Sequence, residues 1–271
     1  MELEELGQRG LVLLGCGRMG SALLQGWLAA GVPPGAVTVL DPAPSDWLRA
    51  QGVRLDGGLP DRPAVLVLAV KPQVMAAALA QVAGLGGGAV PVLSVAAGTP
   101  IAQFESVFGP ATPVIRAMPN TPAAVGRGIS AIIGNRAATA AHLALAERLL
   151  GVVGQVVRLE HEAQIDAVTA VSGSGPAYVF HLVEALAAAG TAEGLAPALA
   201  MQLARATVAG AGALLDAAPE DAATLRRNVT SPAGTTEAAL AVLMDEAAGL
   251  PPLMARAVAR ARQRSEELSR G

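Results

Sequence analysis

The chain has 271 residues, enough for one large domain or two of about 100–200 residues each. It is 52% hydrophobic and 15% charged, with a mean hydropathy of +0.47, which excludes a disordered chain. Its net charge of −3 is spread over single residues with no basic stripe, so nucleic acid is not an expected partner.

The opening MELEELGQRG is acidic where a secretory or transit signal is basic, and the one cysteine, Cys16, has no internal disulfide partner. A cytoplasmic protein is expected. Residues 11–15 read as a strand, 18–30 as a helix, 36–40 as a second strand and 64–70 as an apolar strand suited to burial on both faces. No charge occurs from 72 through 104, long enough to cross a bilayer. Gly84, Gly86, Gly87, Gly88, Pro91, Gly98 and Pro100 would break such a span, so a helix, loop and strand are expected and no membrane partner. Strands follow near 89–95, 113–117 and 129–133, then a helix over 137–150 and a strand near 152–158. The alternation predicts βαβ units and a parallel sheet. From His161 the β signal stops, and 162–170, 176–190, 197–216, 221–227, 235–247 and 251–268 read as helices. The shift near 159–162 divides the chain into residues 1–160, α/β, and 161–271, all-helical. Several of these helices are apolar nearly all round and must be covered, so a subunit interface is expected.

Gly15-Cys16-Gly17-Arg18-Met19-Gly20 follows the first strand and opens a helix, the context a dinucleotide-binding GxGxxG requires. Gly15 would allow the tight turn, Gly17 the approach of a pyrophosphate, and Gly20 close helix–strand packing. Residues 1–160 are thus read as a dinucleotide-binding α/β unit. Asp41 ends the second strand, 21 positions after Gly20, where a carboxylate can bind a ribose 2′-hydroxyl. It equally suits a turn before Pro42, and Arg49 lies within range of a 2′-phosphate, so NADH and NADPH both stay open. Ala69-Val70-Lys71-Pro72 closes the buried strand, and Lys71 is the only lysine in the chain. Ala96 and Ala97, in Ser94–Gly98, are small enough to let a nicotinamide lie against backbone.

Asn120 and Thr121, between Pro119 and Pro122, can present polar groups to the same cleft. In the helical half Ser172-Gly173-Ser174-Gly175-Pro176 and Ser231-Pro232-Ala233-Gly234-Thr235-Thr236 each precede a helix, with Ser174 near the first cap. Such helix starts carry free N–H groups and suit either a small carboxylate or ordinary capping.

GCGRMG, AVKPQ, SVAAG, MPNTP, QIDAVTAVSGSGPAYVF and NVTSPAGTT occur in the order in which the pyrroline-5-carboxylate reductases carry their equivalents, over nearly the whole chain. This resemblance implies an N-terminal Rossmann domain, residues 1–160, and a helical C-terminal domain that intertwines with a second copy into a homodimer and, in some members, a ring of dimers. It implies hydride transfer from NADPH or NADH to the C=N bond of 1-pyrroline-5-carboxylate, giving L-proline in the last step of proline biosynthesis. By matched motif, Gly15 to Gly20 hold the diphosphate. Ala69, Val70, Lys71 and Pro72, with Ala96 and Ala97, line the nicotinamide side, and Asn120 and Asn228 contact the cofactor. Glu162, Ser174, Gly175, Thr235 and Thr236 surround the substrate, Thr236 nearest the ring nitrogen; Thr236 and Lys71 are the candidate catalytic residues, and no metal is implied. Three positions depart from the pattern. Asp41 stands where NADPH-preferring members carry Ser, Asn or Arg; Asp56-Gly57-Gly58 replaces an Asn before the third buried strand; and Ala233 replaces a glycine, which leads us to expect no positive φ there.

β-Hydroxyacid dehydrogenases share this architecture but need a proton carrier, a lysine of the helical domain that residues 161–271 lack. His161 or His181 would have to serve instead. A non-catalytic NAD(P)-binding regulator and a general imine reductase are the other readings; neither accounts for SPAGTT as a carboxylate site.

Overall fold

The computed structural model describes residues 6–55 and 58–269. The chain divides into two compact units, 1–173 with 262–271, and 174–261. The first unit carries eight strands: β1 (Leu11–Leu14), β2 (Val37–Leu40), β3 (Arg54–Leu55), β4 (Val65–Leu68), β5 (Val92–Ser94), β6 (Val114–Met118), β7 (Gly128–Gly134) and β8 (Gly154–Arg158). They form one sheet in the order β3-β2-β1-β4-β5-β6-β7-β8. Strands β3 through β6 are mutually parallel, with the chain order doubling back at β1, as in a doubly wound nucleotide-binding sheet.

Side chains alternate across this sheet and both faces are buried. Leu11, Leu13, Val37, Val39, Val65, Val67, Leu93 and Ile115 enter one core; Val12, Leu14, Leu66, Leu68, Val92 and Val114 enter the other. The covering helices are α1 (Leu6–Arg9), α2 (Arg18–Ala29), α3 (Asp46–Arg49), α4 (Met75–Ala80), α5 (Ile101–Phe108) and α6 (Ala140–Gly151); a short helix, α7 (Gln164–Val168), follows β8. Trp27 of α2 is fully buried, and its indole N–H donates to the Leu149 carbonyl of α6 at 2.8 Å, which fixes the two helices side by side.

The expected parallel sheet ends at β6. β7 runs antiparallel to β6, and β8 runs parallel to β7. The reason is the length of the link: residues 119–127 are too few for a helical crossover, so the chain turns back as a hairpin. α7 runs into a π-helical stretch, Thr169–Gly173, which carries helical backbone past the end of the helix expected over 162–170.

The second unit contains α8 (Gly175–Ala192), α9 (Pro197–Ala217), α10 (Ala222–Asn228) and α11 (Thr235–Leu243), and most of α12 (Leu250–Ser269), whose end from Arg262 belongs to the first unit. α8 and α9 pack as a hairpin through small residues: the Ala200 methyl lies 3.4 Å from where a Cβ on Gly190 would stand. Ala187, Ala200 and Ala204 are this unit's only buried apolar side chains among the described residues, whereas Phe180 is 64% and Val242 72% exposed. α9 is long and apolar enough to cross a membrane by length and composition.

Candidate active site

The first-unit candidates gather at the carboxyl ends of adjacent parallel strands, where open α/β sheets bind ligands. Between β1 and α2 the three motif glycines have three separate causes. Gly15 sits at φ 86°, and a Cβ there would come 2.6 Å from Val70 Cγ1. A Cβ on Gly20 would collide with the Gly15 carbonyl oxygen. Gly17 is exposed and would meet nothing within 4 Å, so its backbone is open to a ligand. As N-cap of α2 it offers no side-chain cap, and the helix's first N–H groups stay available to an anion. The residues present thus fit a dinucleotide diphosphate.

Asp41 closes this turn from β2. Its Oδ2 accepts the Cys16 N–H at 2.7 Å and its Oδ1 the Ala43 N–H at 2.9 Å. The Ser21 hydroxyl donates to the Cys16 carbonyl at 2.9 Å, so both backbone groups of Cys16 are held. Burial pushes the Cys16 thiol above its ordinary value; the Ser21 hydroxyl opposes this and the Asp41 carboxylate adds to it. Past β4, Ala69 still donates to Leu14 at 2.8 Å, and Lys71 is exposed as the N-cap of a short 3-10 turn, Pro72–Val74. Past β5, Ala96 is buried and Ala97 exposed.

Like Asp41, two further candidates are engaged by the protein itself. Asn120, expected to meet the cofactor, donates from Nδ2 to the Ser172 carbonyl at 3.2 Å and accepts the Ile129 N–H at 2.9 Å. Glu162, expected beside the substrate, accepts on one oxygen both Arg116 Nη1 at 2.7 Å and the Ile101 N–H at 2.8 Å. Arg116 is the residue that sequence reasoning missed. Its signal was a lone cation inside the apolar run of β6, which needs an acidic partner to be buried.

In the second unit Ser174 stands at the N-cap of α8, but its side chain does not cap. Its φ −87° and ψ −22° are already helical, and the π-helical stretch precedes it. Gly175 opens α8 and exposed Asn228 ends α10. α11 starts at Thr235, with Thr236 second and Gly234 as an N-cap without a capping side chain. Ala233 corrects an expectation: its φ is 56°, the left-handed value its replacement of glycine led us not to expect. Its N–H donates to Glu237 Oε2 at 2.7 Å, tying the strained residue to the first turn of α11. Asp56 and Gly57 lie outside the described residues.

Residues 162–268 match the family described as pyrroline-5-carboxylate reductase dimerisation, and residues 10–98 the family described as NADP oxidoreductase, coenzyme F420-dependent. A pyrroline-5-carboxylate reductase of Pseudomonas aeruginosa is 39% identical over 96% of both chains. The structure of a pyrroline-5-carboxylate reductase from Coxiella burnetii, 33% identical, superposes with a TM-score of 0.89 over 96% of this chain and 98% of that one. The crystal structure of Plasmodium falciparum pyrroline carboxylate reductase with NADP bound, 25% identical, gives 0.81 over 97% and 99%. The order of the sheet, the glycine turn and these likenesses agree, and the chain belongs to the pyrroline-5-carboxylate reductase family.

Proposed function

We propose that this NAD(P)H-dependent oxidoreductase reduces 1-pyrroline-5-carboxylate to L-proline through the residues described above; the likeness to the reductases over nearly the whole chain carries the reaction, and the open backbone at Gly17 supports the cofactor site. Residues 1–160 serve the cofactor, and 161–271 serve dimerisation and substrate. Gly15, Cys16, Gly17, Arg18, Met19 and Gly20 hold the diphosphate against the start of α2. Ala69, Val70, Lys71 and Pro72, with Ala96 and Ala97, flank the nicotinamide, and Asn228 contacts the cofactor. When bound, the reduced cofactor supplies a hydride, which goes to the imine carbon while nitrogen keeps or takes a proton.

A protonated imine is already electrophilic, so the chain's part is chiefly to orient and to hold charge. The N–H groups at the start of α11 and the Thr235 and Thr236 hydroxyls receive the substrate carboxylate, Thr236 lying nearest the ring nitrogen. Ser174 and Gly175 line the substrate, and Lys71 carries positive charge beside the cofactor. Asn120 acts from behind, holding the loop after β6 to Ser172.

Asp41 favours NADH. Two backbone N–H bonds fix its carboxylate beside the glycine turn, so it cannot swing away from a 2′-phosphate. The test follows NADH and NADPH oxidation with and without 1-pyrroline-5-carboxylate, and identifies proline as product. Turnover without the imine, or none with it, refutes the reductase reading; wild type strongly favouring NADPH, or Asp41→Ser leaving the KM ratio unchanged, refutes the role of Asp41 alone.

The second unit's exposed apolar faces are covered by a second copy, as the match to a dimerisation family supports, and not by a bilayer. A ring of such dimers is the larger assembly we propose, to be checked by sedimentation. A cytoplasmic location fits the single free cysteine.

A further inference from the structure

We propose that the Arg116–Glu162 ion pair is a positioning device for the nicotinamide end of the site, acting through the loop between β5 and α5. Arg116 is buried in β6, and its recorded partner is Glu162, 46 residues later. The same Glu162 oxygen accepts the N–H of Ile101, the first residue of α5. The residue before it, Pro100, has no side chain able to cap, so an acid 61 residues away does the capping for α5. Ala96 and Ala97 stand five and four positions before Ile101. Four positions beyond Arg116, Asn120 ties the end of β6 to Ser172. One carboxylate oxygen therefore fixes where the Ala96–Ala97 loop is anchored, against a strand that is itself tied to residues 162–172.

Glu162 does not need to touch a ligand for this. Without it the guanidinium has no counter-charge and the start of α5 has no cap, so the loop is free to shift. The glycine turn at the other end of the cofactor keeps every one of its contacts. A displacement of about 1 Å at a reacting centre costs on the order of a hundredfold in rate, so the effect falls on turnover, not on cofactor affinity.

This inference rests on the reductase reading, and the experiment separates the two. Cofactor dissociation constants by fluorescence, kcat and KM for the imine, and melting curves are measured for wild type, Glu162→Ala, Glu162→Gln and the double variant Arg116→Met with Glu162→Met. Glu147→Gln, which loses an acid from a surface pair with Arg158, is the control. Expected are a kcat for Glu162→Ala lower by about tenfold to a hundredfold with cofactor affinity within about threefold of wild type. Glu162→Gln keeps an oxygen for both donors and retains most of the activity. The double variant melts near wild type, because apolar residues can replace a buried pair, yet stays slow.

A Glu162→Ala enzyme with unchanged kcat overturns the proposal, as does a double variant with kcat restored. Cofactor affinity falling in step with kcat and melting temperature also overturns it, since that marks a merely structural pair. A wild type inert toward the imine refutes the reductase reading instead.

Discussion

Replacing Ala233 by glycine should stabilise the protein, although it deletes a methyl group. At φ 56° an L-residue carries strain of about 1–2 kcal/mol, from the approach of its Cβ to the following carbonyl. Glycine removes that strain but gives up about 0.5–1 kcal/mol through its larger loss of chain freedom on folding. Ala233 is exposed, so no packing is lost, and the N–H bond to Glu237 is a backbone bond that glycine keeps. The net gain is about 0.5–1 kcal/mol, or roughly 1–4 °C in melting temperature for a domain of this size. The neighbouring glycine gives the opposite result for a different reason. Gly234 has an ordinary φ of −87°, but a Cβ there would stand 2.6 Å from Ser231 Oγ and 2.9 Å from the Ser231 carbonyl oxygen. Gly234→Ala should therefore cost about 1–3 kcal/mol and raise the imine KM by displacing the start of α11. Melting curves at one fixed protein concentration decide both. An Ala233→Gly melting temperature equal to or below wild type would refute the strain argument.

Gly20→Ala should raise the KM for either reduced cofactor at least tenfold, because its Cβ cannot coexist with the Gly15 carbonyl and α2 must retreat from β1; steady-state kinetics at saturating imine test this. His142 should titrate below the ordinary imidazole value of 6.5, since burial disfavours the imidazolium. The sign follows from a folded pKa below the unfolded one. His142 contributes stability that is present above pH 6.5 and lost as pH falls from there through the folded pKa. An NMR titration giving a value at or above 6.5 would contradict it. Cys16 should alkylate more slowly than a free thiol at pH 8, since burial pushes its pKa up; labelling as fast as that of a free cysteine argues against a buried turn.

The glycine turn was legible because each of its glycines answers to a local constraint, and local constraints leave their mark at fixed spacing. The reversal at β7 was missed, since a parallel sheet was expected throughout; its trace was the nine residues between β6 and β7, which admit a hairpin and no crossover. The partner of Arg116 was not legible. An ion pair spanning 46 residues is set by tertiary packing, and its only trace was a charge in an apolar strand. The left-handed Ala233 was hidden for the opposite reason, since alanine normally marks the absence of such a conformation. The π-helical stretch at Thr169–Gly173 has no letter of its own; its Thr169 and Ser172 hydroxyls bond back to the carbonyls of Ile165 and Val168, as they can in a regular helix.

A unit whose interior consists of three alanine side chains has a consequence for how the protein ages and dilutes. On the dimer proposed above, folding and association of residues 174–261 would be one equilibrium, so their stability would carry a concentration term that the Rossmann half does not share. At low protein concentration the helical half should loosen first and leave an intact nucleotide-binding sheet behind. Activity lost on dilution would then return on reconcentration, with no refolding of the cofactor half required.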